Sequence, residues 1–290
     1  MPHELKLHEL RLHELTPDER RRIREAIAED LGTGDITTTS TIEAGLRAVG
    51  TFRAKTPLVV AGSPYARAVF EEIGGECAWT QLVPDGGRAA TGDEFARAEG
   101  PMRALLAAER LALNLLQHLS GIATATAAYV NAVAGTRARI TDTRKTIPLW
   151  RNAQKYAVAC GGGVNHRFGL FDAVLIKDNH LDAVGDIGRA VSRASVAAAG
   201  APVIVEIRRL DEIDPAIDAG ATRLLLDNMT PDELAACVRR VDGRVLTEAS
   251  GNVTLANVRS VARSGVDLIS IGALTHSVVA ADINFKIVRA

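Results

Sequence analysis

The chain contains two regions with different patterns of hydrophobic and polar residues. From about residue 44 to 122 the pattern is mixed, with short β-like stretches such as 50–54 and 58–62 between glycine-containing turns. A longer run with helical periodicity then predicts a helix over about 101–119. Together these features predict an α+β domain.

In the second region, short apolar runs alternate with helical stretches. We predict strands at Ala138–Thr141, Ala173–Ile176, Val203–Val205, Leu224–Leu226, Val245–Leu246 and Leu268–Ile271. Regular alternation of strands and helices predicts a parallel sheet, which is either open and doubly wound or closed into a barrel. No GxGxxG or GxxxxGK(S/T) motif follows the first of these strands, which disfavours a nucleotide-binding Rossmann or P-loop fold.

The residues that follow the apolar runs favour the barrel. Five successive runs end in ionisable residues, which are Arg144 with Lys145, Lys177, Glu206, Asp227 and Glu248. In a (β/α) barrel the C-terminal ends of the strands converge on one mouth, so these charged side chains would meet in space. We therefore predict the α/β class, with an N-terminal α+β sandwich-like domain followed by a (β/α) barrel, and we expect that barrel to be open or incomplete.

The predicted domains are 16–122 for the α+β domain, joined by the C-terminal tail 276–290, and 123–275 for the catalytic barrel.

Residues 3–15 repeat His-Glu-Leu with a period of five. Histidines five apart lie about 140° apart on a helix, unlike the pair of an HExxH zinc motif, so we do not favour a metal site. We interpret residues 1–15 as a mobile extension or as translated sequence upstream of the true start. The fold would then begin at Thr16, an N-cap residue before a proline.

The composition argues against several classes of function. The 290 residues carry 34 basic and 35 acidic side chains, and the formal net charge of -1 gives no reason to expect a nucleic acid or an acidic membrane as partner. No apolar run approaches the roughly 20 residues that span a bilayer. The three cysteines are an odd number without a CxxC pair, which supports neither a disulfide framework nor a zinc site. We expect a protein of the reducing cytoplasm.

Cationic residues surround a glycine-rich loop between the first two predicted barrel strands. Gly161–Gly163 allow the backbone to approach a ligand, and arginine and histidine supply donors for a carboxylate or phosphate. The cationic side of the predicted pocket would consist of Arg144, Lys145, His166, Arg167 and Lys177. Opposite them would lie Glu206 and Asp227. Such a site suits a polyanionic substrate on one side and a divalent cation or ribose hydroxyls on the other.

Several motifs of this chain together resemble those of one enzyme family. They are Glu109-Arg110, His118-Leu-Ser-Gly-Ile-Ala-Thr124, Asp142-Thr-Arg-Lys-Thr146, Lys155-Tyr-Ala-Val158, Gly161 to Arg167, Leu175-Ile-Lys-Asp-Asn-His180, Leu226-Asp-Asn228 and Gly272-Ala-Leu-Thr-His-Ser277. In order and spacing they are similar to quinolinate phosphoribosyltransferase, also called nicotinate-nucleotide pyrophosphorylase (carboxylating). The resemblance runs from about residue 23 to 283.

The resemblance implies a reaction, its substrates and a quaternary structure. Such enzymes join quinolinate, a pyridine-2,3-dicarboxylate, to phosphoribosyl pyrophosphate with Mg2+, and they release pyrophosphate and carbon dioxide to give nicotinate mononucleotide for NAD biosynthesis. By that resemblance, the residues on the quinolinate side would be Arg110, Arg144, His166, Arg167 and Lys177, and Thr143 would be a further substrate-binding residue. Arg110 would reach the site from the other subunit of a homodimer.

The resemblance also assigns the phosphoribosyl side. Lys145, Glu206 and Asp227 would be the catalytic residues, with Glu206 and Asp227 near Mg2+, either directly or through water. The 5′-phosphate would meet backbone groups of Ser250, Gly251, Gly272 and Ala273. Glu248 is a further candidate for the phosphate side, and the matched histidines His118, His180 and His276 are interpreted as supporting residues more than ligands.

Two departures from the family pattern and two alternatives stay open. Leu149-Trp150 and Arg208-Arg209 stand where other residues are commoner in the family, which bears on affinity more than on identity. A Schiff-base aldolase using Lys177 is one alternative, because barrel aldolases also place a lysine at a strand end. The other is a divergent anion-binding relative linked to molybdate transport, which should lack the dicarboxylate-binding cations that are present in this chain.

Overall fold

A computed structural model describes residues 14–74 and 76–290 of the chain. The predicted mobile extension lies almost entirely outside the described residues, so it stays a prediction. By its contacts the chain divides into two compact units. The first unit contains the described part of Met1–Ala125, together with Asn152–Gly162 and Val278–Ala290, and the second contains Thr126–Arg151 and Gly163–Ser277.

Helices and strands alternate along most of the described chain. In sequence order they are α1 Pro17–Leu31, α2 Ile36–Thr41, β1 Arg47–Ala54, β2 Leu58–Val59, α3 Ser63–Ile73, β3 Ala78–Gln81, β4 Arg88–Ala89, β5 Glu94–Pro101, α4 Met102–Ala132, β6 Arg139–Thr141, α5 Arg151–Cys160, β7 Val174–Ile176, α6 Asp178–Val184, α7 Ile187–Ala197, β8 Val203–Ile207, α8 Ile213–Asp218, β9 Arg223–Asp227, α9 Pro231–Val241, β10 Leu246–Ser250, α10 Val258–Arg263, β11 Leu268–Ser270, α11 Ala273–His276 and β12 Ile283–Arg289. A 3-10 turn at Leu210–Glu212 precedes α8.

The first unit is built on an antiparallel four-stranded sheet with the order β12-β1-β5-β3. The last strand of the chain therefore pairs with the first. Aromatic side chains form the core on one face, where the rings of Phe52 and Phe285 stack with centroids 4.2 Å apart and Phe70 lies edge-on to Phe52. Gly50 makes room for this stack, because a Cβ atom there would lie 1.9 Å from the ring of Phe285.

Helix α1 begins at the residue that the sequence predicts. The Thr16 hydroxyl accepts a hydrogen bond from the Glu19 backbone, and the Glu19 carboxylate accepts one from the Thr16 backbone, which is the reciprocal capping box. Glu19 is buried, and its Oε1 also accepts a 2.5 Å hydrogen bond from the hydroxyl of Tyr65 on α3. The capping box therefore also ties α1 to α3.

Helix α4 is longer than predicted, since it runs to Ala132 and not to 119. It continues through Ser120 and Gly121 because both residues are used in packing within the first unit. The Ser120 hydroxyl bonds both backbone groups of Ala61, and a Cβ atom at Gly121 would lie 2.4 Å from the carbonyl oxygen of Val279. In the described part of the chain, no helix combines the length and the apolar character that crossing a membrane requires.

The second unit contains a parallel six-stranded sheet with the order β6-β11-β10-β9-β8-β7. This is the cyclic order of a barrel, with the pairing between β6 and β7 missing among the described residues. All six predicted strands are confirmed within one or two residues at their starts. The predicted α/β class with an incomplete barrel is confirmed.

Three strands extend further than their apolar runs. Glu206 lies inside β8, Asp227 ends β9, and Glu248 is the central residue of β10, where the sequence places all three just beyond the strands. Because side chains alternate between the faces of a strand, Leu225 and Asp227 share the inner face of β9. Ionisable side chains can occupy inner positions where the barrel interior opens into a polar cavity.

Candidate active site

A cavity of about 970 Å³ opens at the C-terminal ends of the barrel strands in the second unit. It is lined by all of the predicted site residues of that unit, namely Thr143, Arg144, Lys145, His166, Arg167, Lys177, Glu206, Asp227, Ser250, Gly251, Gly272 and Ala273. Parallel strands bring these residues together because each contributes its carboxyl end to one mouth. Their individual roles stay predictions.

Arg110 is the one predicted site residue that does not line this cavity. It lies on α4 in the first unit, and its side chain is exposed.

One side of the cavity is cationic, and two of its arginines repel each other. Within the described residues, Nε of Arg144 is buried and makes no hydrogen bond. Burial lowers the pKa of Arg167, and the neighbouring charge of Arg144 lowers it further, against a smaller opposite effect of Asp172. The charged forms of these two guanidinium groups therefore oppose each other until an anion lies between them.

Asp142 fixes the loop that carries Arg167. Its Oδ1 accepts a 2.9 Å hydrogen bond from the backbone of His166, and its Oδ2 accepts a 2.6 Å bond from the amide of Asn165. The Asp142 side chain is fully buried, so these bonds are made in a low-dielectric environment where they are strong. Farther along, Arg167 Nη1 donates to the carbonyl oxygen of Ala173 at 2.9 Å.

Both ring nitrogens of His166 face protein groups. Nδ1 accepts a 2.7 Å hydrogen bond from the backbone N–H of Arg167, and Nε2 lies 3.3 Å from Oε1 of Glu248. Burial raises the pKa of Glu248, but the contact with His166 and the charge of Arg223 outweigh that effect, so the pKa of this carboxyl group is lowered. The imidazole is thus held between the loop and strand β10.

The other side of the cavity is acidic. Burial raises the pKa of Glu206, and the nearby charge of Asp227 raises it further, while Lys177 acts in the opposite direction. The two carboxylates therefore repel each other in the protein without ligands, and a cation between them would relieve that repulsion.

A short chain of amides holds Asp227 in place. Asn228 donates to Oδ2 of Asp227 at 2.5 Å, and Oδ1 of Asn228 accepts from Asn252 at 3.0 Å. Asn228 adopts a left-handed backbone conformation with φ of 54°, which asparagine tolerates better than most residues. Within residues 14–74 and 76–290, Oδ1 of Asp227 accepts no hydrogen bond, so it could accept one from a ligand.

Lys145 lies against the backbone of the last barrel strand. A Cβ atom at Gly272 would lie 2.9 Å from Cδ of Lys145, and the Thr275 hydroxyl donates to the carbonyl oxygen of Lys145 at 2.7 Å. Glycine at residue 272 therefore lets the lysine stem cross the strand end and present its ammonium group to the cavity.

Two consecutive regions of this chain match the two domains of a known protein family. Residues 35–120 match the family description "Quinolinate phosphoribosyl transferase, N-terminal domain", and residues 122–286 match the corresponding C-terminal domain. The chain belongs to the quinolinate phosphoribosyl transferase family. The nicotinate-nucleotide pyrophosphorylase [carboxylating] of Mycobacterium leprae is 44% identical over 274 residues, which cover 92% of this chain and 96% of that protein.

Solved structures of family members have the same fold. The nicotinate-nucleotide pyrophosphorylase of Francisella tularensis aligns with a TM-score of 0.88 and 36% identity, covering 94% of this chain and 98% of the other. NadC from Streptococcus pyogenes aligns with a TM-score of 0.92 and 36% identity, covering 96% and 99%. These matches favour neither the aldolase nor the molybdate-linked alternative.

The matched histidines occupy three different environments in this family member. His118 lies in the first unit, where its Nε2 is 2.7 Å from the amide of Gln154 and where burial lowers its pKa. His180 Nδ1 accepts from the backbone of Lys177 at 3.0 Å and so caps the strand end that carries this lysine. His276 lines the cavity.

The two departures from the family pattern lie on loops. Leu149 is exposed and has a φ of 69°, and Arg208 forms a 3.3 Å ion pair with Asp178, which lines the cavity.

Sequence reasoning missed some lining residues, among them Asn252, Thr254 and Ser270. The glycine turn after β10 was the only signal for the first two, and nothing in the pattern marked Ser270.

The acidic side fits a weakly held divalent cation. No group of three or more His, Cys, Asp or Glu side chains in the described residues could hold a metal ion by itself. Glu206 and Asp227 supply two carboxylates at most. Mg2+ is commonly bound by one or two carboxylates together with substrate phosphates and several waters, so the donor set matches a cation that arrives with a phosphorylated substrate.

Proposed function

We propose that this protein transfers the phosphoribosyl group of phosphoribosyl pyrophosphate to quinolinate, giving nicotinate mononucleotide, pyrophosphate and carbon dioxide. One observation carries the proposal. On one side of the cavity lie cations that repel each other, around Arg144 and Arg167. On the other side lie two carboxylates that repel each other, Glu206 and Asp227. A dicarboxylate on one side and a sugar that becomes cationic on the other would neutralise both.

The flat quinolinate ring would lie against the cationic side. Its two adjacent carboxylates would meet Arg144, Arg167 and Lys177, with Thr143 beside them. Guanidinium groups bind carboxylates through two parallel hydrogen bonds, and Nε of Arg144 has its donor unused within the described residues. The ring nitrogen would then point to the centre of the cavity.

Phosphoribosyl pyrophosphate would lie between the acidic side and the backbone turns. Lys145 and Mg2+, held by Glu206 and Asp227 directly or through water, would neutralise the pyrophosphate. The glycines at 251 and 272 would let backbone N–H groups approach the 5′-phosphate. When bound, Mg2+ would supply charge stabilisation of the departing pyrophosphate.

The chemistry requires positioning and electrostatics more than proton transfer. The ring nitrogen attacks the anomeric carbon, the bond to pyrophosphate breaks, and positive charge develops on the ribose ring. Glu206 would stabilise that charge. The nitrogen becomes quaternary, so breaking the bond to the 2-carboxylate releases carbon dioxide and leaves a carbanion next to a positive nitrogen. That carbon then takes a proton from water to give nicotinate mononucleotide, and no general base is needed.

The assay for this proposal measures nicotinate mononucleotide formed from quinolinate, phosphoribosyl pyrophosphate and Mg2+. We expect product with the wild type and its near-complete loss in Lys145→Ala. Lys55→Ala is the matched control, because this lysine is exposed in the first unit, where its ammonium group pairs with Asp282 at 3.3 Å. No product from a wild type that binds both substrates would contradict the proposal.

We also propose a homodimer in which Arg110 completes the site of the partner. The exposure of Arg110 on α4 supports this arrangement. Mixing Arg110→Ala with Lys177→Ala protein should then restore about a quarter of the wild-type activity, since in a two-fold dimer a random mixture leaves that share of sites intact. No recovery after subunit exchange would count against it.

The odd number of cysteines without a CxxC pair supports a cytoplasmic setting.

A further inference from the structure

The cavity contains a carboxylate that the proposed reaction does not use. Glu248 has no exposed surface, and its neighbours in the sheet are the apolar Leu225 and Leu268. A buried carboxylate is costly unless it is paired. Its Oε2 accepts a hydrogen bond from Nη1 of Arg223 at 3.1 Å, and its Oε1 faces Nε2 of His166 at 3.3 Å.

The hydrogen bond to Nδ1 of His166 determines which ring nitrogen carries the proton that faces Glu248. Nδ1 accepts from the backbone N–H of Arg167, so the proton of the neutral ring lies on Nε2, opposite Oε1 of Glu248. The imidazole thus connects strand β10 to the backbone of Arg167.

This connection completes the support of the loop that presents Arg167. Asp142 holds the backbone of His166 from the side of β6, and Glu248 holds its ring from the side of β10. The guanidinium of Arg167 is itself bound at Ala173, so a shift of its backbone would change its angle to a bound carboxylate. These contacts link Glu248 to the loop on the quinolinate side of the cavity, whereas the sequence makes it a candidate for the phosphate side.

We propose that Glu248 is a positioning residue that acts through His166 to fix Arg167 for binding the quinolinate carboxylates. The proposal rests on the proposed function, because it takes quinolinate as the ligand of Arg167. It gives His166, which lines the cavity, a supporting role for the loop in addition to the carboxylate contact that the family resemblance implies.

The test uses Glu248→Gln, which keeps the shape and removes the charge. We expect KM and the calorimetric Kd for quinolinate to rise by about 10- to 100-fold, the usual effect of a small misplacement, and KM for phosphoribosyl pyrophosphate to change less than about twofold. Arg223→Gln is the control, since Arg223 pairs with the other oxygen of Glu248 and does not line the cavity. It should lower Tm while changing quinolinate affinity much less.

A double-mutant cycle with His166→Gln separates positioning from independent binding. If Glu248 acts through His166, adding Glu248→Gln to His166→Gln should weaken quinolinate binding by less than about twofold more. Multiplying effects of the two substitutions, or an increase in KM for phosphoribosyl pyrophosphate alone, would overturn the proposal. If Glu248→Gln fails to fold, Glu248→Asp, which keeps the charge at a shorter reach, should show the same selective effect on quinolinate.

The calorimetric Kd keeps this proposal separate from the proposed reaction. A wild type that binds quinolinate but forms no nicotinate mononucleotide contradicts the reaction alone, and the ratio of Kd values still decides the role of Glu248. A wild type that does not bind quinolinate overturns both.

Discussion

Replacing Gly251 by alanine tests how the acidic side of the cavity is held in place. Its φ is +94°, and a Cβ atom there would lie 2.2 Å from Oδ1 of Asn228 and 3.0 Å from the Asn228 backbone nitrogen. Asn228 donates the 2.5 Å hydrogen bond that orients Asp227. A methyl group at residue 251 must therefore displace Asn228, and the orientation of Asp227 changes with it.

Gly200 provides a matched control for the backbone strain. Its φ is +91°, and nothing lies within 4 Å of its Cβ position. Alanine in the left-handed region costs about 1–2 kcal/mol, so Gly200→Ala should lower the free energy of unfolding by that amount alone. Gly251→Ala should lose about 1–3 kcal/mol more, which is the usual cost of overpacking.

Urea unfolding and steady-state kinetics of both variants provide the readouts. Gly251→Ala should raise KM for phosphoribosyl pyrophosphate and leave KM for quinolinate near the wild-type value, whereas Gly200→Ala should change neither. Equal losses of stability in the two variants would refute the packing argument. A selective increase in KM for quinolinate would refute the placement of Asp227 on the phosphoribosyl side.

Other substitutions test single contacts. The pKa of Glu206 is raised in the folded protein, so the protein without ligands should lose stability as pH rises from the ordinary glutamate range through that pKa. Glu206→Gln should remove this loss, raise Tm near neutral pH and lower kcat by about 10²-fold. A lower Tm of the variant would contradict the expected direction of this pH effect. Lys177→Met should weaken quinolinate binding, measured by calorimetry, by about 1.5–3 kcal/mol, whereas Lys55→Met should not. Tyr156→Phe removes the 2.9 Å hydrogen bond to Asp85 and should lower the free energy of urea unfolding by about 0.5–1.5 kcal/mol; a changed KM for either substrate would show that this tyrosine reaches the site.

The second unit could be predicted from its pattern because each strand has an apolar run and most have a charged end. Residues as far apart as Lys177 and Asp227 could be placed at one cavity, since parallel strands share one carboxyl edge. The pattern could not locate the ends of β8, β9 and β10. An ionisable residue that faces a polar cavity from inside a strand has the same sequence signal as one just beyond it.

Other features depend on contacts that no local pattern contains. Helix α4 passes its Ser120 and Gly121 because Ala61 and Val279 pack against them, and neither partner is near in sequence. Glu248 could be recognised as a charged residue near a strand end, but only the three-dimensional positions of His166 and Arg223 give it a role. The domain boundaries 16–122 and 123–275 stay a prediction, and the contacts group residues 152–162 with the first unit.

The fate of the quinolinate 2-carboxylate distinguishes the proposed reaction from every alternative. Quinolinate labelled at that carbon is incubated with the protein, phosphoribosyl pyrophosphate and Mg2+, and labelled carbon dioxide and nicotinate mononucleotide are counted in the same sample. We expect equal amounts of both, and the loss of both in Lys145→Ala. Nucleotide that retains the label, or no nucleotide despite binding of both substrates, would contradict the proposed reaction.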